Sequence, residues 1–393
     1  MLNDLRVLDF SRYIAGPYCA SILGDLGAEV IRIEPVGGGE DRGLVPVTDD
    51  GTGALFLQTN RNKKSVAIDM NAPEGRAIIE RLIATADIVV TNMPPGALKR
   101  HGLDYETLKS IRPDIIATNV SAFGTEGPLA EKTGFDAVAQ GMSGAAYLSG
   151  NRIRPARSAS SYVDYATGLA GAMGTLAAVI HRGRTGQGQA VRASLLATAL
   201  TFINAAHIEE ASRSLNRRPF GNRSPYSAPS DIFPTTDGAI VVQVVGNPMF
   251  RRWVRLVGQP DLLRDRRFTT DALRGRNGAA LSRIMRDWTH PLATTEALEK
   301  LAAAGIPAGP VYSPRQTLDD AGIAATGILK SLDLPDAGMT IPLANLLVQL
   351  DSQPETVRSA APAAGQHTAE ILDAAGYSPA EVADMARKGL ISQ

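Results

Sequence analysis

The side chains of this sequence with most capacity for chemistry are carboxylates, and Asp164 stands apart among them by its neighbours. It heads a segment of small and apolar residues, Tyr165-Ala166-Thr167-Gly168 onward through Gly171, Ala172, Gly174, Ala177 and Ala178. The segment closes with His181-Arg182-Gly183-Arg184-Thr185-Gly186-Gln187-Gly188-Gln189. Helical length, cations in the last turn and glycines just beyond it are helix-stop signals. At a helix start, orphan N–H groups and the positive end of the dipole would keep a carboxylate ionised. An ionised carboxylate beside small residues, which leave room for a ligand, can act as a nucleophile. A plain N-cap is the competing reading of the same position, and position alone favours it; the rest of the chain turns the reading toward a nucleophile.

The rest of the inventory narrows the chemistry. Cys19 is the only cysteine, so no internal disulfide can form. The five histidines (His101, His181, His207, His290, His367) are scattered, with no Cys or His pair at ligand spacing, and no metal site is expected. No G-x-S-x-G elbow, no Walker A sequence and no G-x-G-x-x-G after the first strand is present. The run Gly37-Gly38-Gly39-Glu40-Asp41-Arg42-Gly43 reads as a flexible loop rather than a phosphate cradle. Any nucleophile is then an oxygen, and no permanently bound cofactor is expected.

The elements that must position these groups follow from hydrophobic periodicity. Strands are predicted over 5–10, 29–33, 65–69, 88–91 and 115–120, with helices over 15–26, 73–86 and 105–111 between them. That alternation argues for an α/β fold with a parallel sheet. Ligands on such sheets sit at the carboxyl ends of strands, which singles out the loops at 11–14, 35–42, 70–71, 92–96 and 121–127. Further on, helices are predicted over 193–210, 249–257, 274–288 and 294–304, and a hairpin turns at Thr236-Asp237-Gly238. At 393 residues the chain exceeds one typical domain. The expected division is a large domain over 1–215, a smaller α+β domain over 225–315, and a return to the large domain over 316–393.

Lys plus Arg equals Asp plus Glu at 40 each, so neither nucleic acid nor an anionic membrane is implied as a bulk partner. No uninterrupted run of 18 apolar residues occurs, and Met1-Leu2-Asn3-Asp4-Leu5-Arg6 lacks a signal-peptide pattern, so a cytoplasmic location is expected.

Several segments in order resemble class III CoA-transferases, whose relatives include formyl-CoA transferase, carnitine CoA-transferase and α-methylacyl-CoA racemase. They are Val7-Leu8-Asp9-Phe10-Ser11 with Ala15-Gly16-Pro17, and Leu23-Gly24-Asp25-Leu26-Gly27-Ala28-Glu29-Val30-Ile31-Arg32-Ile33-Glu34. Asn60-Arg61-Asn62-Lys63-Lys64-Ser65, Asn92-Met93-Pro94-Pro95-Gly96 and Gly134-Phe135-Asp136 with Gln140 continue the likeness. Asp69, Asp164-Tyr165-Ala166-Thr167-Gly168, Arg184-Thr185-Gly186-Gln187-Gly188-Gln189, Gly305-Ile306-Pro307-Ala308-Gly309-Pro310-Val311 and Gly365-Gln366-His367-Thr368 complete it.

The resemblance implies a Rossmann-like large domain built from both chain ends, a smaller inserted domain, and an interlocked homodimer. It implies a CoA thioester as substrate and Asp164 as the nucleophile that forms anhydride and aspartyl-CoA intermediates with a free carboxylic acid. A small dicarboxylate such as succinate, mesaconate or itaconate is the expected acceptor, with Arg223 or Arg157 as candidates to hold its distal carboxylate. CoA contacts carry over to Ile14 and Ala15, to Ile68 and Asn71 near the adenine, to Asn92, Pro94 and Arg100, and to Lys132, Phe135 and Asp136 along the pantetheine. The backbones of Gly168 and the Gly221-Asn222 turn are candidate oxyanion donors. The chain departs from formyl-CoA transferase in having Ile14 where that enzyme has glutamine, and no close match to its glycine-rich loop over the nucleophile appears around Gly246-Asn247. It departs from the racemase branch in having Phe135 where a histidine shuttles protons, and Phe cannot accept a proton. A racemase or isomerase of the same fold, or a CoA-binding protein without turnover, are the alternatives.

Overall fold

The Val- and Ile-rich runs of the first 200 residues form one large sheet in a computed structural model, which describes residues 1–151, 153–351 and 356–392. Its strands are β1 (Arg6–Asp9), β2 (Glu29–Glu34), β3 (Lys63–Ile68), β4 (Ile88–Thr91), β5 (Ile116–Ser121) and β6 (Ala190–Ser194). A short antiparallel strand near the C terminus, Ile391–Ser392, pairs beside β3. From that edge the order is β3-β2-β1-β4-β5-β6, all parallel. The protein is thus a mixed α/β chain dominated by a large parallel sheet.

Both faces are covered, which is why β1, β2 and β4 are rich in Val, Ile and Leu on both sides rather than alternating with polar residues throughout. Period-two alternation sorts their side chains between two cores. Val7, Val30 and Val90 pack with Cys19, Ile22 and Leu23 of the first helix, Ala15–Asp25. Leu8, Ile31 and Val89 pack with Ile78 and Leu82 of the helix Pro73–Ile83 and with Ile371 and Leu372 of Thr368–Ala374. The chain winds outward from β1 through β2 and β3, then returns to place β4 on β1's other side. That reversal opens a crevice between the loops that follow β1 and β4.

Asp164 lies on the helix Tyr162–Thr185. This helix is long and apolar enough to cross a membrane, yet one face of it is buried against the first helix. A Cβ on Gly168 would stand 2.6 Å from the Ala15 carbonyl oxygen, and one on Gly171 would stand 3.2 Å from Cys19 Sγ. The space that the small residues leave, expected from sequence to admit a ligand, is taken by the first helix.

The chain divides into two units, Met1–Ser143 with Ser158–Ile208 and Thr326–Gln393, and Gly144–Arg157 with Glu209–Ala325. In the second unit an antiparallel sheet (Ser230–Pro234, Ala239–Gln243, Ala308–Pro310) carries a core of Phe233, Ile240, Phe250, Trp253, Leu281, Met285 and Leu301. The Asp-Gly turn joins its first two strands, as the sequence predicts. Two helix predictions change. The segment 193–210 contains the end of β6 followed by a helix, Leu195–Arg213; Ala190–Ser194 is extended because β5 supplies its pairing partner, which overrides local preference. The segment 274–288 breaks at Asn277 into Asp271–Arg276 and Gly278–Thr289.

Candidate active site

Loops at the carboxyl ends of β1, β4 and β5 enclose a cleft of about 330 Å³. It is lined by residues 12–15, 92–94, 97, 100, 101, 120–122, 130, 132–135, 164 and 195. Asp164 reaches it from the third position of its helix and is only 8% exposed.

Asp164 is not the cap of that helix. The N-cap is Ser161, which makes no side-chain capping bond. The capping carboxylate is Asp136, whose Oδ2 accepts the backbone N–H of Val163 at 2.8 Å and of Asp164 at 3.3 Å. Its other oxygen accepts from Gln140 Nε2, and Gln140 Oε1 in turn accepts from the Ser158 N–H at 2.9 Å. Among the described residues the Asp164 carboxyl has no hydrogen-bond donor. Burial, and secondarily the Asp136 charge, push it up to about 7. This corrects the expectation that the helix start holds Asp164 firmly ionised: the stabilising N–H groups serve Asp136. A carboxylate raised this far is more basic than usual when ionised, and so a better nucleophile near neutral pH.

A second cleft of about 510 Å³ lies at the ends of β1, β2 and β3, lined by Ile68, Asp69, Met70 and Asn71 among others. Arg12, Met93 and His101 line both clefts, which therefore adjoin. Burial lowers the His101 pKa, and the nearby Arg100, Arg76 and Arg12 guanidiniums lower it further. His101 Nδ1 is buried and has no partner among the described residues. Three guanidiniums around the junction make it a place for an anionic ligand group.

The structure distributes the sequence-predicted residues as follows. Ile14, Ala15, Asn92, Pro94, Arg100, Lys132 and Phe135 share the cleft with Asp164. Ile68 and Asn71 line the adjoining cleft. Asp136 lines neither; it is buried behind Phe135 and holds the helix start. The amide of Asn92 is already used, accepting from the Arg12 N–H at 3.1 Å and donating to the Arg12 carbonyl at 2.6 Å, which ties the β1 and β4 loops together. Gly168 lies beyond the first turn, so its N–H belongs to the helix ladder and is no oxyanion donor. Arg157, Arg223, Gly221 and Asn222 belong to the second unit. No group of three or more His, Cys, Asp or Glu suited to a metal occurs among the described residues.

Sequence reasoning missed the supports beneath the β1 loop. Lys63 is fully buried, and its Nζ donates to Asp9 Oδ2 at 2.8 Å, the Pro17 carbonyl at 2.8 Å and Asn60 Oδ1 at 3.0 Å. Burial pulls its pKa down. Arg32, also buried, donates to Asp41 at 2.7 Å and to the Ser11 carbonyl at 3.2 Å. A charged residue inside an apolar strand run, such as Arg32 in EVIRIE, was the one available signal. Tyr13, at φ 71°, was also missed.

Comparison with known proteins points in one direction. Residues 2–368 match the family model described as CoA-transferase family III. The chain is 34% identical, over 99% of its length and 98% of the relative's, to the succinyl-CoA–D-citramalate CoA-transferase of Chloroflexus aurantiacus. It is 31% identical, over 95% of its length and 96% of the relative's, to the succinyl-CoA:mesaconate CoA-transferase of Haloarcula hispanica. The crystal structure of a CAIB/BAIF family protein from Brucella suis superposes with a TM-score of 0.83 at 31% identity, covering 95% of this chain and 99% of that one.

Proposed function

The chain belongs to CoA-transferase family III and is an enzyme that transfers CoA from an acyl thioester to a carboxylic acid, and we propose that Asp164 carries the transfer. The observation that supports this most is a buried carboxyl that lines the cleft with no hydrogen-bond donor among the described residues, on a helix start that a different carboxylate caps.

In the proposed sequence, an Asp164 oxygen attacks the donor's thioester carbonyl, the C–S bond breaks, and CoA leaves as its thiolate. The thiolate attacks the aspartyl carbonyl of the resulting anhydride and expels the donor acid, giving aspartyl-CoA. An acceptor carboxylate attacks that same carbonyl and displaces the thiolate. Attack of the thiolate on the acceptor's acyl carbon then releases the new thioester and restores Asp164.

The acyl end of CoA would lie beside Asp164, Ile14, Ala15 and Phe135, and the nucleotide end in the adjoining cleft beside Ile68 and Asn71. Arg100, with Arg12 and Lys132, would meet the phosphates. The acceptor is taken to be a small dicarboxylate, as the names of the two relatives suggest for those enzymes. A second copy of the chain belongs to this reading, interlocked with the first. In support, Leu169, Met173 and Ile180 on the Asp164 helix and Phe202 on the next are exposed apolar side chains.

Incubation with succinyl-CoA and a panel of carboxylates, read by mass, tests the reaction. Hydroxylamine trapping after acyl-CoA should place a hydroxamate on Asp164. Full transfer by Asp164→Ala would overturn the assignment.

A further inference from the structure

The glycine-rich run at 37–43 has no part in the transfer as described, and it is not a loose loop. Residues Glu40–Gly43 form a turn of 3-10 helix. A Cβ on Gly39 would stand 2.6 Å from Asp41 Oδ1 and 2.9 Å from Arg32 Nη2, so the chain is packed closely at Gly39. Its Arg42 donates to both oxygens of buried Glu34, at 2.6 and 2.8 Å. Burial would raise Glu34, but the bonds from Arg42 and the charge of Arg32 outweigh it and hold it at about 2, so the anchor stays ionised.

This run holds one residue of the cleft at two points. Tyr13 donates its backbone N–H to Asp41 Oδ2 at 3.0 Å and its hydroxyl to Glu40 Oε1 at 2.6 Å. Neighbouring Arg12 pairs with the same Glu40 oxygen at 3.1 Å. Tyr13 is thereby held in the left-handed region at φ 71°, which a bulky residue keeps only where its surroundings over-determine it. Its ring meets Phe135 edge-on, with centroids 5.4 Å apart and planes at 88°. Both rings line the cleft into which Asp164 opens, and Phe135 immediately precedes the Asp136 that holds the Asp164 helix start.

We propose that residues 37–43 are a clasp that presses Tyr13 against Phe135 to form a water-excluding wall of the Asp164 cleft, and so set how the aspartyl intermediate divides between acceptor and water. This rests on the Asp164 reading. Water attacking the aspartyl carbonyl of aspartyl-CoA forms a C–O bond and breaks C–S; the proton passes to the departing thiolate and Asp164 is restored. The net reaction is hydrolysis of the donor thioester. Two aromatic rings packed edge to face are suited to delaying that attack while leaving a carboxylate substrate its own approach. Tyr13 is a positioning residue in this scheme.

The test compares hydrolysis of succinyl-CoA without acceptor against transfer to a carboxylate substrate. Tyr13→Ala should raise the hydrolysis-to-transfer ratio about tenfold, equivalent to about 1.4 kcal/mol between the two attacks. Glu40→Gln, which weakens the clasp outside the cleft, should raise it less but in the same direction. Parallel loss of both rates with an unchanged ratio would overturn the proposal. Should Tyr13→Ala fail to fold, Glu40→Gln and Tyr13→Phe decide by the same ratio, a rise supporting the clasp and no change refuting it. Asp164→Ala in the Tyr13→Ala background separates the two claims: abolished hydrolysis keeps the Asp164 reading whatever the ratio does, and surviving hydrolysis removes both.

Discussion

Replacing Asp164 with Asn removes a charge from a site that opposes it, and this should appear as a pH-dependent gain in stability. Burial first, and Asp136 second, raise the Asp164 pKa from an ordinary 3.8 to about 7. The folded value exceeds the unfolded one, so the favourable contribution of the protonated form is complete below about pH 3.8. It is lost progressively as pH rises to about 7, beyond which the folded protein carries the full cost of a buried carboxylate. The gap between 3.8 and about 7, at about 1.4 kcal/mol per pH unit, sets that cost at about 4 kcal/mol as an upper bound. Because the side chain is 8% exposed, solvent screens little of it. Asn cannot ionise, and its shape leaves the Asp136 cap in place. Chemical denaturation of both proteins from pH 4.5 to 8 should show the variant's advantage growing by about 2–3 kcal/mol, since other titrating groups cancel in the difference. A difference that stays flat across this range would refute the reasoning. So would an acid limb of transfer activity lying near pH 4 rather than near 7.

Three further outcomes follow. Asp136→Ala leaves the N–H groups of Val163 and Asp164 uncapped, costing about 1–2 kcal/mol in thermal or urea melts; with that negative charge gone, the acid limb of the activity profile should also move to lower pH. Arg100→Ala should raise KM for the CoA thioester about tenfold with little change in kcat, more so at low salt, if the guanidinium meets a phosphate with a bond worth about 1.5–3 kcal/mol. Gly168→Val drives a side chain into the Ala15 backbone, where a Cβ would stand 2.6 Å from the carbonyl oxygen; overpacking of this kind costs about 1–3 kcal/mol, and a lowered melting temperature checks it.

Much of the first unit was legible because its strands are buried on both faces and its helices are punctuated by proline and glycine. The strand Ile88–Thr91 and the helix Tyr105–Ile111 match their predicted ends. What the sequence concealed was set by tertiary partners. Ala190–Ser194 carries no strand signal of its own and is extended because β5 lies beside it. The glycine run at 37–43 has the composition of a flexible loop, yet ion pairs from Arg32 and to Glu34 order it. Loop ends after strands located the clefts well, since ligands on parallel sheets sit at the carboxyl ends of strands; the order β3-β2-β1-β4-β5-β6, which alternation alone does not fix, places the crevice between β1 and β4. The partnership of Arg12 with Asn92 had no local trace, because 80 residues separate them.

The division of labour between Asp164 and Asp136 explains why the position of Asp164 alone, which favours a cap, misleads. A helix start can stabilise only the carboxylate whose oxygens accept its N–H groups. Were Asp164 that carboxylate, its oxygens would be occupied, its pKa would fall, and it would be a poor attacking group. Asp136, 28 residues earlier, takes both N–H groups, and the same charge that satisfies the helix start then raises the pKa of the neighbour it displaces. Capping and nucleophilicity are thus competing uses of one helix terminus, and the chain assigns them to different residues. The motif Gly134-Phe135-Asp136 and the segment that begins at Asp164 therefore act as one unit: the first fixes where the second points, and with what basicity.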